Sequence, residues 1–365
     1  MVYMEMNNNT YIDVINMKNF YNGKNVLITG HTGFKGAWMS ELLLNWGANV
    51  SGFSIDPSTE INLFSLLDLD ERMDSYKVDI RNFNVLEKKF NEVNPEIVIH
   101  LAAQPIVLEG YKNPLLTYET NALGTVNICE CIRKNDSVKS FINVTTDKVY
   151  ENINKLDGYL ENEKLNGYDP YSNSKSCSDL ITQSYFKSFF KDLGIAASTA
   201  RSGNVMGGGD FAEDRIIPDC VRAALSHENI IMRNPHSIRP YQFILDALNA
   251  YLMIIKKQYE DISYASSYNV GPTDDKCSRT GDLVEIFCEK WGDGLKWTLH
   301  ESKETDPFES PVLINDSTKL KKRINWEPKY DMDTAIEKTV EWTRVYASGE
   351  DIIACVNKQI NEFFI

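Results

Sequence analysis

The residues of this chain with the clearest chemical potential are a tyrosine and a lysine four positions apart, Tyr171 and Lys175. Side chains at that spacing lie on one face of a helix, one turn from each other. An ammonium at that distance favours the phenolate, so we expect Lys175 to lower the pKa of Tyr171 from its usual value of about 10. The pair therefore predicts a base that takes a proton from an alcohol.

A second reactive group lies upstream, where Thr146, Asp147 and Lys148 follow an apolar stretch. A carboxyl and an amine side by side indicate an additional proton transfer, which a simple alcohol dehydrogenase would not need. Two such groups can titrate as a coupled pair, so the sequence leaves open which one is the acid and which the base. The structural alternative is a turn in which the aspartate caps backbone amides.

Composition limits the class of protein. The chain has 365 residues, 42% of them hydrophobic and 25% charged, which suits one large α/β domain plus a smaller lobe. The formal net charge of −14 argues against a nucleic-acid partner. No apolar run reaches the roughly 18 residues of a membrane helix. Seven scattered cysteines and five unclustered histidines predict neither a disulfide framework nor a metal site, and favour a cytoplasmic protein.

Short β-rich runs alternate with longer amphipathic runs from residue 24 onward. Strands are predicted at 25–29, 49–54, 76–80, 96–101, 140–145 and 196–201, and helices at 33–46, 83–93, 115–133 and 170–190. This alternation predicts an α/β fold with a Rossmann-type, doubly wound parallel sheet. We divide the chain into an N-terminal extension (1–22), a dinucleotide-binding domain (23–204) and mainly a smaller α/β substrate-binding lobe (205–365), some of whose segments return to the first domain.

The turn after the first strand carries three glycines, Gly30, Gly33 and Gly36, with the spacing G-x-x-G-x-x-G. Glycines there allow a tight turn and a close approach of the backbone to a pyrophosphate, which the helix N-terminus also attracts. Asp56, after the second strand, is the acidic residue expected to hold the adenosine ribose. No lysine or arginine lies between Lys35 and Arg72 to bind a 2′-phosphate. The sequence therefore predicts NAD rather than NADP.

Taken together, these motifs resemble the extended short-chain dehydrogenases, and among them the CDP-glucose branch of the NDP-sugar 4,6-dehydratases. The matching stretches are GHTGFKGAW (30–38), HLAAQP (100–105), TYETNALGT (117–125), TTDKVYEN (145–152), GYDPYSNSK (167–175), RSGNVMGGGDFAEDRIIPD (201–219) and RNPHSIRPYQF (233–243). Lys148 favours the CDP-sugar branch, since related dTDP-glucose dehydratases carry an acidic residue there. The chain departs from that branch at Leu108, Leu160 and Phe243, three positions expected near the substrate.

The resemblance implies an NDP-hexose substrate and NAD that is used and regenerated in one cycle. Tyr171 would take the proton of the C4 hydroxyl as hydride leaves C4, while Lys175 holds the nicotinamide ribose and Thr146 positions O4. Lys148 would then remove the C5 proton and Asp147 would protonate the departing C6 hydroxyl. Hydride returning to C6 completes a 4-keto-6-deoxy sugar with loss of one water.

The predicted binding residues surround this catalytic set. Those for the cofactor are Gly30, Thr32, Gly33, Phe34, Lys35, Gly36, Asp56, Asp79, Ile80, Leu101, Ala102, Ala103, Asn121, Tyr171 and Lys175. Those for the nucleotide sugar are Gln104, Tyr111, Thr146, Asn204, Arg215 and Arg239, the last three being candidates for the diphosphate. The resemblance also implies a homodimer, or alternatively a tetramer, built by pairing helices 115–133 and 170–190.

Three other functions remain open on the sequence. The first is a dehydratase for another nucleotide hexose. The second is an NDP-sugar 4-epimerase, which would need only C4 oxidation and its reversal and would leave the Asp147 and Lys148 pair unexplained. The third is a catalytically silent dinucleotide-binding scaffold, against which the complete set of Thr146, Tyr171 and Lys175 argues.

Overall fold

The computed structural model describes residues 8–272, 277–300 and 310–364. The strands are β1 (Asn25–Thr29), β2 (Asn49–Ser54), β3 (Asp74–Lys77), β4 (Ile97–His100), β5 (Ser140–Thr146), β6 (Ala196–Ser202), β7 (Val205–Met206), β8 (Ile230–Met232), β9 (Ile238–Arg239), β10 (Gln242–Phe243), β11 (Ser267–Val270), β12 (Ser278–Arg279) and β13 (Trp297–Leu299). The helices are α1 (Asn8–Tyr21), α2 (Phe34–Asn45), α3 (Leu63–Leu66), α4 (Leu69–Arg72), α5 (Phe83–Val93), α6 (Val107–Lys112), α7 (Pro114–Tyr118), α8 (Gly124–Arg133), α9 (Pro170–Tyr185), α10 (Ile216–Ser226), α11 (Ile244–Glu260), α12 (Thr280–Trp291), α13 (Thr318–Ile324), α14 (Met332–Ser348) and α15 (Ile352–Phe364).

Seven parallel strands form the central sheet in the order β3-β2-β1-β4-β5-β6-β11. The predicted Rossmann-type α/β fold is therefore confirmed. The strand order reverses between β1 and β4, and ligands of such sheets bind beyond the carboxyl ends of the strands at this switch point. The turn after β1 and the segment after β4 both lie at this switch point. The glycine turn is therefore at the expected binding edge.

Side chains alternate across the sheet into two apolar layers. Val26 and Ile28 of β1 face the larger core, which includes residues of α2, α11, α14 and α15. Leu27 faces the opposite core with residues of α5 and α8. Helices cover both faces of this parallel sheet, so its central strands β1, β4, β5 and β6 are almost wholly buried, whereas the edge strand β3 is not.

The chain beyond β6 builds a smaller lobe and then returns to the sheet. Three two-stranded sheets pair β7 with β10, β8 with β13 and β9 with β12. β11 then adds to the edge of the main sheet by parallel pairing with β6, Ser267 lying opposite Thr199.

Two local predictions were wrong in detail. The third strand is Asp74–Lys77 and not 76–80, because Val78 onward already turns toward α5. The predicted helix 115–133 is interrupted by a π-helical turn at Glu119–Leu123 between α7 and α8. A second π-turn, Phe186–Phe190, follows α9. Among the described residues, no helix has the combined length and apolarity needed to cross a membrane.

Candidate active site

The glycine turn leads from β1 into α2, and its backbone is open to a ligand only at Gly33. Gly30 has φ +75°, and a Cβ there would lie 2.7 Å from the amide nitrogen of Ala102. A Cβ on Gly36 would lie 2.2 Å from the Gly30 carbonyl oxygen, so helix and turn are in contact. Gly33 is different: a Cβ there would meet only the Gly30 oxygen, at 3.4 Å. The exposed Gly33, at the start of α2, thus offers the open cradle that a dinucleotide pyrophosphate requires.

The adenosine end of the predicted cofactor site carries a cation that the sequence pattern had not revealed. The Thr32 hydroxyl lies 2.7 Å from that of Ser54 at the end of β2. Asp56, two residues on, accepts a hydrogen bond of 2.5 Å from the Lys77 ammonium, and both side chains are exposed. The stretch between Lys35 and Arg72 holds no basic residue, as the sequence shows, but β3 brings Lys77 to this edge in space.

Asp79 and Ile80 follow β3 at the same edge. Arg81 donates two hydrogen bonds of 3.0 Å to Asp79 through Nε, and these bonds hold the pKa of that carboxyl below its usual value. The Ile80 carbonyl accepts a 2.8 Å hydrogen bond from Asn127 of α8. The carboxylate predicted to meet adenine therefore already has a cationic neighbour.

The segment after β4 forms the floor of the site. The amides of Leu101 and Ala102 donate to the backbone oxygen and the hydroxyl of Thr29, at 3.0 and 3.2 Å. Asn121, in the π-turn, accepts from the Gln104 amide at 2.8 Å and donates to the Ser174 hydroxyl at 2.9 Å. Ala103 completes this half-buried segment.

The Gln104 side chain is engaged within the protein rather than presented to a substrate. Its amide nitrogen donates to the Thr117 hydroxyl at 2.9 Å, and its oxygen accepts from the Ile106 amide at 2.6 Å. Tyr111, on α6, is partly exposed beside the start of α9. There a Cβ on Gly110 would lie 3.1 Å from the Tyr171 amide.

Helix α9 begins where the sequence predicts and places both members of the Tyr–Lys pair. Asp169 caps it by accepting from the Ser172 amide at 3.0 Å, and Pro170 occupies its first position. The Lys175 ammonium is buried and donates to the Val144 carbonyl of β5 at 2.9 Å. Tyr171 lies one turn earlier, at the carboxyl end of β5, where the Thr146 side chain acts to lower the pKa of its phenol against the larger effect of burial.

The electrostatics of this pair differ from the sequence expectation. Burial raises the pKa of Tyr171 to about 12, although the polar side chain of Thr146 and the positive charge of Arg215 act in the other direction. Burial also lowers the pKa of Lys175 to about 8. The predicted lowering of the tyrosine pKa by Lys175 is therefore wrong for the unliganded protein. Its cause is desolvation, which penalises the charged form of both groups.

Thr146, Asp147 and Lys148 form a tight turn at the end of β5. The Thr146 hydroxyl donates to Asp147 Oδ1 at 2.9 Å and accepts from the Lys148 amide at 3.4 Å. Asp147 Oδ2 is buried and has no hydrogen-bond partner within the described part of the chain. An unsatisfied carboxyl oxygen costs free energy in a folded protein, so it is a candidate for contact with a ligand.

Lys35 belongs to this charge cluster as well as to the glycine turn. Burial lowers its pKa to about 7, and the nearby charges of Arg215 and Lys175 lower it further, whereas Asp147 and Asp210 oppose this. The position of Lys35 in the glycine motif predicted only a contact with the cofactor. The electrostatic link to the catalytic set depends on segments far away in the sequence.

The three residues predicted for the substrate phosphates are placed differently from one another. Arg215 forms an ion pair of 3.2 Å with Asp210. Arg239 is buried and donates to the carbonyls of Ile238 and Ser310, at 2.8 and 2.6 Å. Asn204 lies between β6 and β7, where its carbonyl accepts from the Gln242 amide at 2.9 Å.

One of the three departures from the family pattern lies away from the site. Phe243 is fully buried and packs in the hydrophobic core, its ring centroid 5.4 Å from that of Tyr330. With no exposed surface, the Phe243 side chain has no face open to direct contact with a substrate. Leu160 is exposed and Leu108 is half-buried on α6.

A buried ion pair that the sequence analysis missed lies behind Lys175. Arg201 of β6 donates to both oxygens of Asp179, at 3.0 and 2.9 Å, and to the Tyr150 hydroxyl at 2.9 Å. Asp179 lies one turn beyond Lys175 on α9, and its charge favours the protonated lysine. The i, i+4 spacing of lysine and aspartate was the available signal. The partner on β6 could not be read from it.

Comparison with known proteins identifies the relatives of this chain. The family model described as GDP-mannose 4,6 dehydratase matches residues 27–339. The CDP-glucose 4,6-dehydratase of Salmonella typhimurium is 38% identical over 352 residues, which are 95% of this chain and 98% of that enzyme.

Solved structures of related folds are less similar in sequence. The NAD complex of dTDP-glucose 4,6-dehydratase from Bacillus anthracis superposes with a TM-score of 0.73 at 22% identity, covering 90% of this chain and 99% of that one. The UDP-glucose 4-epimerase of Thermotoga maritima gives a TM-score of 0.76 at 23% identity, covering 88% and 99%. At these identities both structures support the fold alone.

Proposed function

This chain belongs to the NAD-dependent NDP-sugar 4,6-dehydratases, and from that premise we propose that it converts CDP-glucose to CDP-4-keto-6-deoxyglucose and water. The observation that carries the choice of nucleotide is the 38% identity with the Salmonella enzyme over nearly the full length of both chains. Lys148, the residue that separates the CDP-sugar branch from the dTDP-sugar branch, agrees with it.

The first half of the reaction is assigned to α9 and β5. Tyr171 takes the proton of the C4 hydroxyl, and its place on the first turn of α9 keeps the phenol near Thr146 at the end of β5, where that hydroxyl must lie. NAD, when bound, accepts hydride from C4 and later returns it to C6. Lys175 is held by the Val144 carbonyl below this point, so its ammonium can bind the nicotinamide ribose and favour the phenolate as proton transfer begins.

The second half is assigned to Asp147 and Lys148. A ketone at C4 acidifies the C5 proton, which one of the two groups removes while the other protonates the C6 oxygen as it leaves as water. The buried, unpartnered Oδ2 of Asp147 supports a contact between this carboxyl and the departing hydroxyl. Lys148 is the base in this scheme, and the proton it takes goes back to C5 as hydride arrives at C6.

The nucleotide diphosphate is assigned to the cationic side of the site. Arg215 is only partly buried and its ion pair with Asp210 leaves other guanidinium N–H groups for phosphate oxygens. The buried Arg239 and the backbone around Asn204 shape the wall on which the diphosphate rests.

The test is a comparison of nucleotide sugars. Purified protein is incubated with NAD and, separately, with CDP-, dTDP-, GDP- and UDP-glucose, and each product is analysed by mass spectrometry for loss of one water. Loss from CDP-glucose alone is the expected result. Loss of water from another sugar nucleotide contradicts the proposed cytidine nucleotide. An isomer of unchanged mass indicates an epimerase.

Asp147→Asn tests the division of labour within the cycle. The variant keeps Thr146, Tyr171 and Lys175, so it should still oxidise C4 and accumulate reduced cofactor, seen by its absorbance, without releasing water. Dehydration at the wild-type rate would exclude Asp147 from the elimination step.

We also propose that the protein is a homodimer, with a tetramer as the alternative. Four large apolar side chains on the run from α7 to α8 and on α9 with its π-turn are exposed in the single chain: Leu115 (71%), Leu123 (58%), Leu180 (49%) and Phe189 (43%). Pairing the two helical runs across a two-fold axis would cover these side chains in a four-helix bundle.

A further inference from the structure

The segment Gly207–Asp210, three glycines followed by an aspartate, lies between β7 and α10 and packs tightly against its neighbours. A Cβ on Gly207 would lie 2.8 Å from Ile244, and one on Gly208 would lie 2.0 Å from the Trp342 ring. Gly209 has φ +87°. The Gly208 carbonyl also accepts a 2.9 Å hydrogen bond from the indole of Trp38, on α2. Asp210, the next residue, is therefore fixed relative to α2, the helix that begins at the glycine turn.

Asp210 uses its two oxygens for two different purposes. Oδ1 accepts the Ala212 amide at 3.1 Å and so closes its own turn. Oδ2 accepts Nη1 of Arg215 at 3.2 Å. The aspartate is nearly buried, with 7% of its side chain exposed, whereas 34% of the Arg215 side chain is exposed. A fixed carboxylate thus holds a cation that is accessible from the site.

The guanidinium of Arg215 lies close enough to the catalytic set to influence it. Burial raises the pKa of Tyr171 and lowers that of Lys35, and the charge of Arg215 opposes the first effect and adds to the second. Asp210 acts on Lys35 in the opposite direction. The nucleotide sugar that we propose as substrate carries a diphosphate, and a cation at this place is suited to receive it.

We propose that Asp210 is a positioning residue that holds the Arg215 guanidinium in the orientation that receives the diphosphate of the nucleotide sugar. The inference rests on the proposed function for the identity of the ligand. One N–H group of the guanidinium is directed to Asp210, and the planar fork leaves others for phosphate oxygens. An arginine already ordered in the free enzyme loses less side-chain entropy on binding than a mobile one.

The experiment is a double-mutant cycle with CDP as the probe. Asp210→Asn, Arg215→Gln and the double variant are compared with wild type by calorimetric titration of the NAD-loaded protein with CDP, and by kinetics with CDP-glucose. Asp210→Asn keeps a side-chain oxygen for the Ala212 amide but loses the charge facing Arg215. We expect it to weaken CDP binding and raise KM by about fivefold with kcat nearly unchanged. The double variant should bind CDP no more weakly than Arg215→Gln alone.

Asp214→Asn is the matched control. Asp214 lies in the same turn, one residue before Arg215, at φ +60°, a conformation that asparagine tolerates. Its carboxylate faces Arg233 at 3.7 Å instead. This variant should keep the wild-type CDP affinity and KM.

Two results would overturn the proposal: wild-type CDP affinity in Asp210→Asn, or losses that add up in the double variant. If Asp210→Asn lowers the thermal stability, Asp210→Glu serves as the second variant. It keeps the charge but displaces it by one methylene. A positioning role therefore predicts weaker CDP binding, whereas a purely electrostatic role predicts no loss of CDP affinity. A wild-type protein that binds CDP but dehydrates no nucleotide sugar would refute the proposed function, while the CDP cycle would still report on Asp210.

Discussion

At the scale of single residues, burial controls the chemistry of the Tyr171–Lys175 pair. The phenol, with a pKa of about 12, is neutral at pH 7 in the unliganded protein, and the ammonium, with a pKa of about 8, is close to losing its proton. Proton transfer from a sugar hydroxyl therefore needs the pKa of the tyrosine to fall when cofactor and substrate bind, and Thr146 and Arg215 already act in that direction.

Tyr171→Phe removes the proton acceptor and retains the ring. We expect turnover to fall by at least about 100-fold, the usual contribution of a general base, while NAD still binds. Turnover is measured by water loss from CDP-glucose, and cofactor binding by calorimetry. Tyr168→Phe, an exposed tyrosine three residues earlier, is the control and should behave as wild type. Near-normal kcat in Tyr171→Phe would exclude the proposed base.

Lys175→Met should make the protein more stable at neutral pH while abolishing its activity. Burial lowers the pKa of Lys175 from its usual value of 10.5 to about 8, so the unfolded chain binds more protons between these values. Stability rises with pH across that window, and the penalty is complete below pH 8. Removing the charge should therefore raise the free energy of unfolding at pH 7 by about 2–3 kcal/mol.

Urea unfolding at several pH values measures this difference. The advantage of Lys175→Met over wild type should shrink as the pH rises from 8 to 10.5 and vanish above it. A difference that is independent of pH would show that lost packing or a lost hydrogen bond to Val144, and not the buried charge, dominates the effect.

At the scale of elements, two glycine substitutions in the turn between β1 and α2 should distinguish a loss of stability from a loss of cofactor binding. Gly36→Ala would place a methyl group 2.2 Å from the Gly30 carbonyl oxygen, which is backbone and cannot move aside without displacing the helix. We expect it to lower stability by about 2 kcal/mol and to abolish NAD binding.

Gly33→Ala is the matched substitution, because its Cβ would be 3.4 Å from the nearest atom and its φ is −79°. Its melting temperature should stay near that of wild type, and its NAD affinity should fall because the methyl group occupies the cradle. Thermal unfolding and calorimetric titration with NAD distinguish the two variants. Unchanged NAD affinity in Gly33→Ala would place the pyrophosphate elsewhere.

At the scale of the whole molecule, the exposed apolar side chains of α7, α9 and the two π-turns are expected to hold two copies together. Leu180→Arg places a charge in the middle of the proposed bundle, where it would be buried without a partner. Sedimentation velocity should show a dimer for wild type and a monomer for this variant. Ile231→Arg, at a more exposed position on β8 in the smaller lobe (63% against 49% for Leu180), should remain dimeric. A monomeric wild type would remove the proposal.

Local spacing was enough to predict much of the dinucleotide-binding half. The glycine turn, the Asp169–Pro170 start of α9 and the shared face of Tyr171 and Lys175 all depend on residues within a few positions of one another. Alternating strand and helix patterns likewise determine a parallel sheet, because right-handed crossovers leave few other arrangements. The limits of β3 and the π-turn at Glu119–Leu123 escaped prediction, since hydrophobic periodicity places the ends of elements poorly.

Tertiary structure alone decided which charges meet. Lys77 reaches Asp56 from a neighbouring strand, and Arg201 reaches Asp179 across the buried face of α9. The direction of the pKa shift of Tyr171 also followed from burial, which outweighed the lysine one turn away. Sequence spacing determines which residues share a face of one element, whereas desolvation and ion pairing depend on what the rest of the chain packs against that face.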